Sequence, residues 1–422
     1  MKFKKTILKN GLRVVTVPMK DNPTVTVLVL VETGSKYETK AKNGLSHFLE
    51  HMCFKGTTKR PTAHAIASEL DALGSQYNAF TGQEYTGYYA KGDAKHFKQL
   101  FDVVSDVYLN STFPEVEMEK EKGVIIEEIN MYEDMPQRHV QDLFMSLLYG
   151  DQPAGWNIAG TRENVQKMTR TDFIECHKAH YVPKATTVII AGKVSEKIML
   201  AETRRVFEKI PKGKKGAMVP TKEKQTKPEI LIKEKKTDQT HFVLGFRTFD
   251  IFDKRNPILA VMASVLSGGM SSRLFQKLRE EMGVAYYVRA VNDTYNDHGF
   301  LEISAGVSNA RVKEVVTEIL KECKRLMKEP VGAAELSKIK EYIAGNMKLE
   351  LESSDAFAQF YGGQEVAKHK IDSLETLESK IRKVTAKDIM KVANEIFKNS
   401  GLNLALIGPD ADKKPFEAIL KI

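Results

Sequence analysis

The pentapeptide His47-Phe48-Leu49-Glu50-His51 constrains the fold of this chain more than any other stretch of its sequence. Two histidines four residues apart share one face of an α-helix, where both imidazoles can reach a single metal ion. Glu50 projects beside them, three residues after His47. In this order the residues match the H-x-x-E-H zinc motif, in which the glutamate takes a proton from a zinc-activated water. The segment is therefore predicted to be a helix that carries a zinc site.

The residues around the motif favour a helix at the edge of a hydrophobic core. Asn43-Gly44 is a predicted helix start, and Gly56 is a predicted stop. Between them apolar residues recur at helical spacing, so one side of the helix faces the core. The histidines and Glu50 lie beside that apolar stripe, where polar groups need partners such as a metal ion and its water. The competing interpretation is a helix whose histidines are only polar surface.

A catalytic zinc site has three protein ligands and a water, so a third ligand must come from elsewhere in the chain. The best source is an acidic segment that is predicted to be a helix from about Glu115 to Glu133. Within it Glu121 and Glu128 are seven residues apart and share one helical face. Glu127 is a second candidate, because both it and Glu128 directly follow the apolar run Gly-Val-Ile-Ile. The other acidic residues of this helix read as a solvated face.

The chain resembles the pitrilysin-type zinc metallopeptidases, or inverzincins, and within them the branch of the mitochondrial processing peptidase and its bacterial relatives. The resemblance rests on residues 47–51, on Asn78-Ala79-Phe80-Thr81, and on Glu121 and Glu128 at either end of the Val-Ile-Ile segment. It implies that Glu128 is the third zinc ligand and that Glu121 is a carboxylate that supports the site. Glu127 remains a rival, but only Glu128 shares a helical face with Glu121.

The same resemblance implies where a substrate binds. It makes the strand that contains Asn78, Ala79 and Phe80 an edge strand, to which an extended peptide adds by β-pairing. Because such pairing contacts the backbone more than the side chains, it favours extended or unfolded peptides. Asn78 would contact the substrate near the scissile bond. The alternative is that Asn78 is only a turn-forming residue.

A second signature lies in the later half of the chain. Residues 267–286 resemble the family over their full length, with a Gly-Gly-x-Ser-Ser-Arg-Leu-Phe run as a helix entry and Gly283 as a stop. The resemblance implies that Arg279 and Tyr286 reach the substrate near the zinc. Their chemistry suits that role, because both offer donors toward a developing oxyanion or a substrate carbonyl. Tyr287 is an alternative to Tyr286 in this role. The simpler interpretation is that Arg279 is only a solvated side chain and that Tyr286 only packs against its neighbours.

The chain length of 422 residues suits two domains, and the two halves read as a divergent repeat. The strand Thr24–Val31 precedes the zinc helix, and the strand His241–Phe246 precedes an apolar helix without the motif. Strands and helices mixed in this order predict α+β domains, each a mainly antiparallel sheet covered by helices. The expected division is a zinc-binding catalytic domain at 1–210, a basic linker at 211–228, and a homologous domain without metal at 229–422.

Amino-acid composition limits the binding partners and the cellular compartment that are expected for this chain. The net charge of +9 comes mostly from lysines spread along the chain, without the signatures of RNA binding, so no nucleic-acid partner is expected. No continuous apolar run of about 18 residues occurs, so no membrane partner is expected. The N-terminus reads as a hairpin of the fold rather than a leader. The three separated cysteines, Cys53, Cys176 and Cys323, fit reduced thiols in a cytoplasm.

Together with the resemblance, these features predict a zinc-dependent endopeptidase that acts on peptides or unstructured segments. One alternative is a non-catalytic structural subunit, like the respiratory-complex core proteins of the family, whose zinc motifs are typically degraded. A second is a processing peptidase for one leader sequence, which shares the chemistry and differs only in substrate. The expected assembly is a homodimer, or a heterodimer with a related chain. In it Arg279 and Tyr286 of one chain face the zinc of the other.

Overall fold

The computed structural model describes residues 2–422, which form eleven β-strands and fifteen α-helices. The strands in chain order are β1 (Lys4–Ile7), β2 (Arg13–Pro18), β3 (Thr24–Val31), β4 (Gln76–Thr81), β5 (Thr86–Asp93), β6 (Thr186–Gly192), β7 (Glu229–Glu234), β8 (Gln239–Thr248), β9 (Ala285–Thr294), β10 (Gly299–Ser308) and β11 (Leu402–Gly408). The helices are α1 (Leu45–Cys53), α2 (Ala63–Ala72), α3 (Phe97–Leu109), α4 (Glu115–Asp134), α5 (Pro136–Tyr149), α6 (Arg162–Lys167), α7 (Arg170–His180), α8 (Glu196–Phe207), α9 (Asn256–Ser267), α10 (Val312–Lys328), α11 (Ala333–Leu349), α12 (Ser354–Lys368), α13 (Leu374–Arg382), α14 (Ala386–Ile396) and α15 (Lys414–Glu417).

The described residues divide into two compact units that are discontinuous in sequence. Unit 1 extends to Asn130 and resumes at residues 156–219 and 350–371. Unit 2 comprises residues 131–155, 220–349 and 372–422. The sequence predicts one uninterrupted range for each domain. In the structure, residues 131–155 belong to unit 2 and residues 350–371 belong to unit 1.

Unit 1 is built on a six-stranded sheet in the order β1-β2-β6-β3-β5-β4. Its neighbouring strands are antiparallel except for the parallel pair β2 and β6. The central strand β3 has the bounds predicted from the sequence, and its β-branched residues are buried on both sides of the sheet. Val27 and Val29 belong to the main core under the helices, whereas Leu28 and Leu30 belong to a second cluster on the opposite face.

Helix α12 covers that opposite face of the unit 1 sheet, although it comes from the later half of the sequence. Its residues Phe357, Ala358 and Tyr361 are buried in the same cluster as Leu28 and Leu30. Burial of a side chain of the size of Phe357 stabilises the docked helix by about 1.5–3 kcal/mol.

Unit 2 is built on a five-stranded sheet in the order β7-β11-β8-β10-β9, with β7 and β11 parallel and the other neighbours antiparallel. This order repeats that of β2-β6-β3-β5-β4 in unit 1. Helix α5, from the earlier half of the sequence, packs Val140 and Phe144 against Val243 and Phe300 of this sheet. The predicted fold class, two α+β repeats with mainly antiparallel sheets, is confirmed.

Residues 211–228, the predicted linker, form neither helix nor strand. Within residues 2–422, no helix combines the length and apolarity needed to span a bilayer.

Candidate metal centre

The three predicted metal ligands meet at one place in unit 1. One ligand atom from each of His47, His51 and Glu128 lies within 4.8 Å of the other two. Oε2 of Glu128 is 3.6 Å from Nε2 of both imidazoles. Among the residues that the structure describes, no other group of three histidine, cysteine, aspartate or glutamate side chains has this spacing.

The apolar side of helix α1 packs in the core, so its two histidines lie on the other side, beside Glu128. Leu45, Phe48, Leu49 and Met52 are buried, and the ring of Phe48 packs edge-to-face on Phe173 with centroids 4.8 Å apart. The remaining helical face carries the motif, as the sequence pattern predicts. The two imidazoles thus lie on a helix whose rotation is fixed by its apolar contacts.

The start of α1 is held by a carboxylate from outside the helix. Glu38 accepts hydrogen bonds from the backbone nitrogens of Gly44 at 2.8 Å and Ser46 at 2.6 Å, which are unpaired within the helix. Burial raises the pKa of Glu38, and the hydrogen bonds that it accepts from residues 43–46 partly offset that rise. Gly44 has φ +98°, and a Cβ atom there would lie 2.5 Å from the carbonyl oxygen of Ala159. Only glycine therefore fits this entry without displacing the chain.

Helix α4 supplies the carboxylates, and its register separates the two candidate ligands. Glu121 is buried and Glu128 is half-buried, on the face that meets α1. Glu127 is exposed and accepts a long hydrogen bond from Asn130 at 3.4 Å. The structure therefore places Glu128, rather than Glu127, beside the histidines.

Glu121 connects His51 to a lysine that the sequence did not single out. Its Oε1 is 2.9 Å from Nδ1 of His51, and its Oε2 is 2.5 Å from Nζ of Lys55. Burial alone would raise the pKa of Glu121, but the hydrogen bonds from His51 and Lys55 lower it. The ionised carboxylate accepts only, so Nδ1 of His51 carries the hydrogen and Nε2 is the nitrogen turned toward Glu128.

The chemistry of the donor set fits a zinc ion. Burial, followed by the positive charge of His51, lowers the pKa of His47 to about 4, so this ring is neutral at pH 7 and offers a lone pair. Its Nδ1 is buried without a hydrogen-bond partner among the described residues. Two imidazoles and one carboxylate are the protein ligands of a known class of catalytic zinc site.

Glu50 lies next to the ligands on α1 and is tied to the edge of the sheet. Its Oε2 accepts a hydrogen bond from Oγ1 of Thr81 at 2.6 Å. Burial raises the pKa of Glu50, which the hydrogen bond from Thr81 partly offsets. A carboxylate whose pKa is raised is better suited to accept and return a proton.

The predicted substrate-binding residues Asn78, Ala79 and Phe80 lie on β4, which is the edge strand of the unit 1 sheet. Side chains alternate along a strand, so Asn78 and Phe80 lie on the face opposite to Ala79 and Thr81. Phe80 packs in the cluster beneath α12, and Oδ1 of Asn78 accepts from the backbone nitrogen of Ala79 at 2.9 Å. Thr81, and not Asn78, is the residue of this strand that reaches Glu50.

Comparison with known families shows to which family the chain belongs. The profile described as "Insulinase (Peptidase family M16)" matches residues 13–162, a range that contains all of the clustered ligands. A second profile, described as "Peptidase M16 inactive domain", matches residues 167–343. The chain belongs to peptidase family M16.

Relatives within the M16 family align over nearly the whole chain. A protein of Bacillus subtilis (strain 168) named "Uncharacterized zinc protease YmxG" is 34% identical over 413 residues, which are 97% of this chain and 99% of that relative. An "Uncharacterized zinc protease" of Rickettsia bellii is 34% identical over 409 residues, 97% of this chain and 98% of its own length.

Solved structures show the same fold. A protease from Helicobacter pylori superposes with a TM-score of 0.90 at 24% identity, covering 97% of this chain and 99% of that one. A Pseudomonas fluorescens structure described as a peptidase M16 inactive domain has a TM-score of 0.89 at 18% identity, with coverage of 97% and 99%.

The second half of this M16 chain has no counterpart of the zinc motif on α9, but it carries the predicted Arg–Tyr pair in unit 2. Arg279 is exposed at the end of a π-helical segment, Phe275–Glu281, with its guanidinium 5.1 Å from the ring centroid of Phe275. Tyr286 is 64% exposed at the start of β9. Its rival Tyr287 is half-buried, with its hydroxyl 3.2 Å from Nδ1 of His241. Tyr286 is therefore the more accessible of the two phenols.

Proposed function

We propose that this M16 protein is a zinc-dependent endopeptidase that hydrolyses peptides or unstructured segments. The observation that carries the proposal is the convergence of His47, His51 and Glu128, with Glu50 beside them on the same helix. The names of relatives that align over 97% of the chain support zinc as the metal. An intact ligand set argues against a purely structural subunit.

In this proposal His47, His51 and Glu128 hold the zinc ion. When bound, zinc supplies Lewis-acid chemistry and lowers the pKa of water in its coordination shell. Glu50 takes the proton of the attacking water and passes it to the leaving amine. Glu121 holds the ring of His51 through its Nδ1–H and is itself held by Lys55.

Substrate is proposed to bind at the edge of the unit 1 sheet. Strand β4 has a sheet neighbour, β5, on one side only, so its other edge can pair with an extended peptide. Asn78, Ala79 and Phe80 would supply that backbone edge. Arg279 and Tyr286 are proposed to donate hydrogen bonds to substrate carbonyls, which their exposed side chains permit.

The proposed assembly is a homodimer in a cytoplasmic compartment. One chain carries both the zinc ligands and the Arg–Tyr pair, so two copies suffice to supply both sets to each site. A closed two-fold pair is also the commonest oligomer of soluble proteins. The described cysteines Cys53, Cys176 and Cys323 are free thiols, which fits a reducing environment.

The deciding experiment is cleavage of an unstructured peptide library by the purified protein. We expect cleavage to be abolished by phenanthroline and restored by added zinc, with about one zinc per chain by elemental analysis. Glu50→Gln should keep its zinc but lose about 10²-fold or more in turnover, the scale of general-base catalysis. Full activity of a metal-free preparation would disprove the proposal, and a zinc-loaded but inert wild type would favour the structural subunit.

The same library separates general peptide turnover from dedicated processing. A broad set of cleaved sequences indicates turnover, whereas a single preferred leader-like sequence indicates a processing peptidase. Because β-pairing to β4 contacts the substrate backbone, we expect the broad set.

A further inference from the structure

We propose that Thr81 is a positioning residue that orients the carboxylate of Glu50 for proton transfer. This inference rests on the function proposed above, because it assigns the threonine a role through Glu50. Oγ1 of Thr81 donates to Oε2 of Glu50 at 2.6 Å, a distance typical of a hydroxyl bonded to an ionised carboxylate. The two residues belong to different elements, β4 and α1.

The hydrogen bond leaves one carboxylate oxygen for chemistry. Oε2 of Glu50 is bonded to Thr81, while Oε1 forms no hydrogen bond within residues 2–422. A glutamate side chain has three rotatable bonds, so one fixed oxygen removes much of the freedom of the other. Thr81 thereby determines where the proton-accepting oxygen lies relative to His47 and His51.

The position of Thr81 is itself fixed by the fold. Thr81 pairs with Thr86 across the β4–β5 hairpin, and Oγ1 of Thr86 donates to the carbonyl of Thr33 at 3.0 Å. The backbone nitrogen of Lys36 donates to the carbonyl of Gln83 at 2.9 Å, so the hairpin turn is held by the segment that follows β3. These contacts lie within the fold of unit 1, so the fold itself holds the Thr81 hydroxyl beside Glu50.

Gly34 permits this close approach of the two segments. A Cβ atom at Gly34 would lie 2.2 Å from the carbonyl oxygen of Gly82, the residue that follows Thr81. Any larger residue would push the turn away from the segment after β3. Thr81 would move with the turn.

Three variants separate the role of the Thr81 hydroxyl from the role of strand β4 itself. Thr81→Val removes the hydroxyl but keeps a β-branched side chain of the same shape, so β4 should be preserved. Thr81→Ser keeps the hydroxyl. Tyr77→Phe is a matched control, because it removes a hydroxyl from the same face of the same strand, where it contacts Asp71 at 3.3 Å and not Glu50.

Peptide cleavage kinetics with the zinc-loaded proteins provide the first test. We expect Thr81→Val to lower kcat by about 10- to 100-fold, the scale seen for residues that support a metal site, with KM and zinc content unchanged. Thr81→Ser should recover most of the loss, and Tyr77→Phe should resemble the wild type. Wild-type kcat in Thr81→Val, or an equal loss in Thr81→Ser, would overturn the inference.

Peptide affinity provides a readout that does not depend on turnover. In the inactive Glu50→Gln background, Thr81→Val should leave the dissociation constant for an uncleaved peptide unchanged. A tenfold or greater weakening would mean that Thr81 contacts the substrate directly, and the inference would be wrong.

Crystal structures of the wild type and of Thr81→Val separate this inference from the proposed function. The inference requires that the carboxylate of Glu50 keeps one rotamer in the wild type and leaves it in the variant. An unchanged rotamer would overturn the inference even if the enzyme is active. An inactive wild type whose Glu50 rotamer depends on Thr81 would overturn only the proposed function.

Discussion

Nδ1 of His51 and Oε1 of Glu121 are 2.9 Å apart, and this contact fixes which ring nitrogen of His51 can bind a metal. Burial by itself lowers the pKa of His51, but the hydrogen bond to Glu121 and the surrounding carboxylates raise it. The carboxylate therefore both orients the imidazole and increases the basicity of Nε2. Lys55, at 2.5 Å from the other oxygen, keeps Glu121 ionised and in place.

Removal of that carboxylate charge should weaken zinc binding. We expect Glu121→Gln to lower zinc affinity by about 10- to 100-fold, because residues that support a ligand typically contribute that much. Competition with a chromogenic chelator measures it. Glu119→Gln is the control, since Glu119 lies on the same helix with a side chain 60% exposed. Equal zinc affinities of the two variants would show that the contact between Glu121 and His51 does not strengthen zinc binding.

The two neighbouring glutamates of α4 should differ in their effect on metal content. Glu128→Gln is expected to lose most of its bound zinc, because it replaces the one carboxylate of the cluster with a neutral amide, which is a much weaker zinc ligand. Glu127→Gln should retain zinc, because Glu127 is exposed and contacts Asn130 instead. Elemental analysis of both purified variants decides between them, and the reverse order would mean that the register of α4 differs in solution.

Helix α1 and the central strand β3 were predictable from the sequence because their patterns are local. His47 and His51 are one turn apart, and the apolar residues between Leu45 and Met52 repeat at the helical period, so the sequence alone defines the helix and its buried face. The same holds for β3, whose apolar run marks a strand covered on both sides.

Contacts between distant segments were not predictable from such patterns. Thr81 and Glu50 are 31 residues apart, and His51 and Glu121 are 70 residues apart. Strand alternation shows which residues share a face, but not which helix lies above it. The docking of α12 on the first sheet depends on a long-range fit of Phe357 and Tyr361 that leaves no periodic signal.

The carboxylate at the start of α1 should contribute measurably to stability. Glu38 accepts from two backbone nitrogens of this helix, and a buried backbone donor left without a partner costs about 1–3 kcal/mol. We expect Glu38→Ala to lower the free energy of unfolding by about 3 kcal/mol and to weaken zinc binding as the helix entry loosens. Urea unfolding of the metal-free protein measures the first effect, and an unchanged midpoint would contradict it.

A buried glutamate in unit 2 should make stability depend on pH. Burial, followed by the charge of Asp293, raises the pKa of Glu302 to about 7. With its side-chain nitrogen turned toward Glu302, the amide of Gln141 donates to Oε2 at 2.7 Å. Below the unfolded pKa of about 4.5 the group is protonated in both states, so it has no effect. As the pH rises from there toward 7, only the unfolded chain ionises freely, so stability falls. At about 1.4 kcal/mol for each pKa unit, the total fall is about 3 kcal/mol.

Glu302→Gln tests this dependence because it keeps the shape of the side chain and cannot ionise. We expect the variant to lose less stability than the wild type between about pH 5 and pH 8, as followed by urea unfolding at each pH. Glu417→Gln is the control, because Glu417 is exposed. Parallel stability curves for the wild type and Glu302→Gln would show that Glu302 ionises normally in the folded state.

Mixing two inactive variants should test whether sites are shared between chains. Glu50→Gln removes the base but keeps the Arg–Tyr pair, whereas the double variant Arg279→Ala with Tyr286→Phe keeps the base. If the proposed homodimer contributes both sets across its interface, subunit exchange assembles one site with every group present. About half of the mixed population is heterodimeric with one working site, so we expect activity near a quarter of the wild type.

Each variant incubated alone with itself is the control for the exchange, and light scattering reports the oligomer. Recovery requires the two chains to meet, so activity should appear only after exchange and should saturate with time. No recovery despite complete exchange would mean that each chain supplies its own arginine and tyrosine. A fully active monomer would exclude the dimer, and activity that requires an added related chain would indicate a heterodimer.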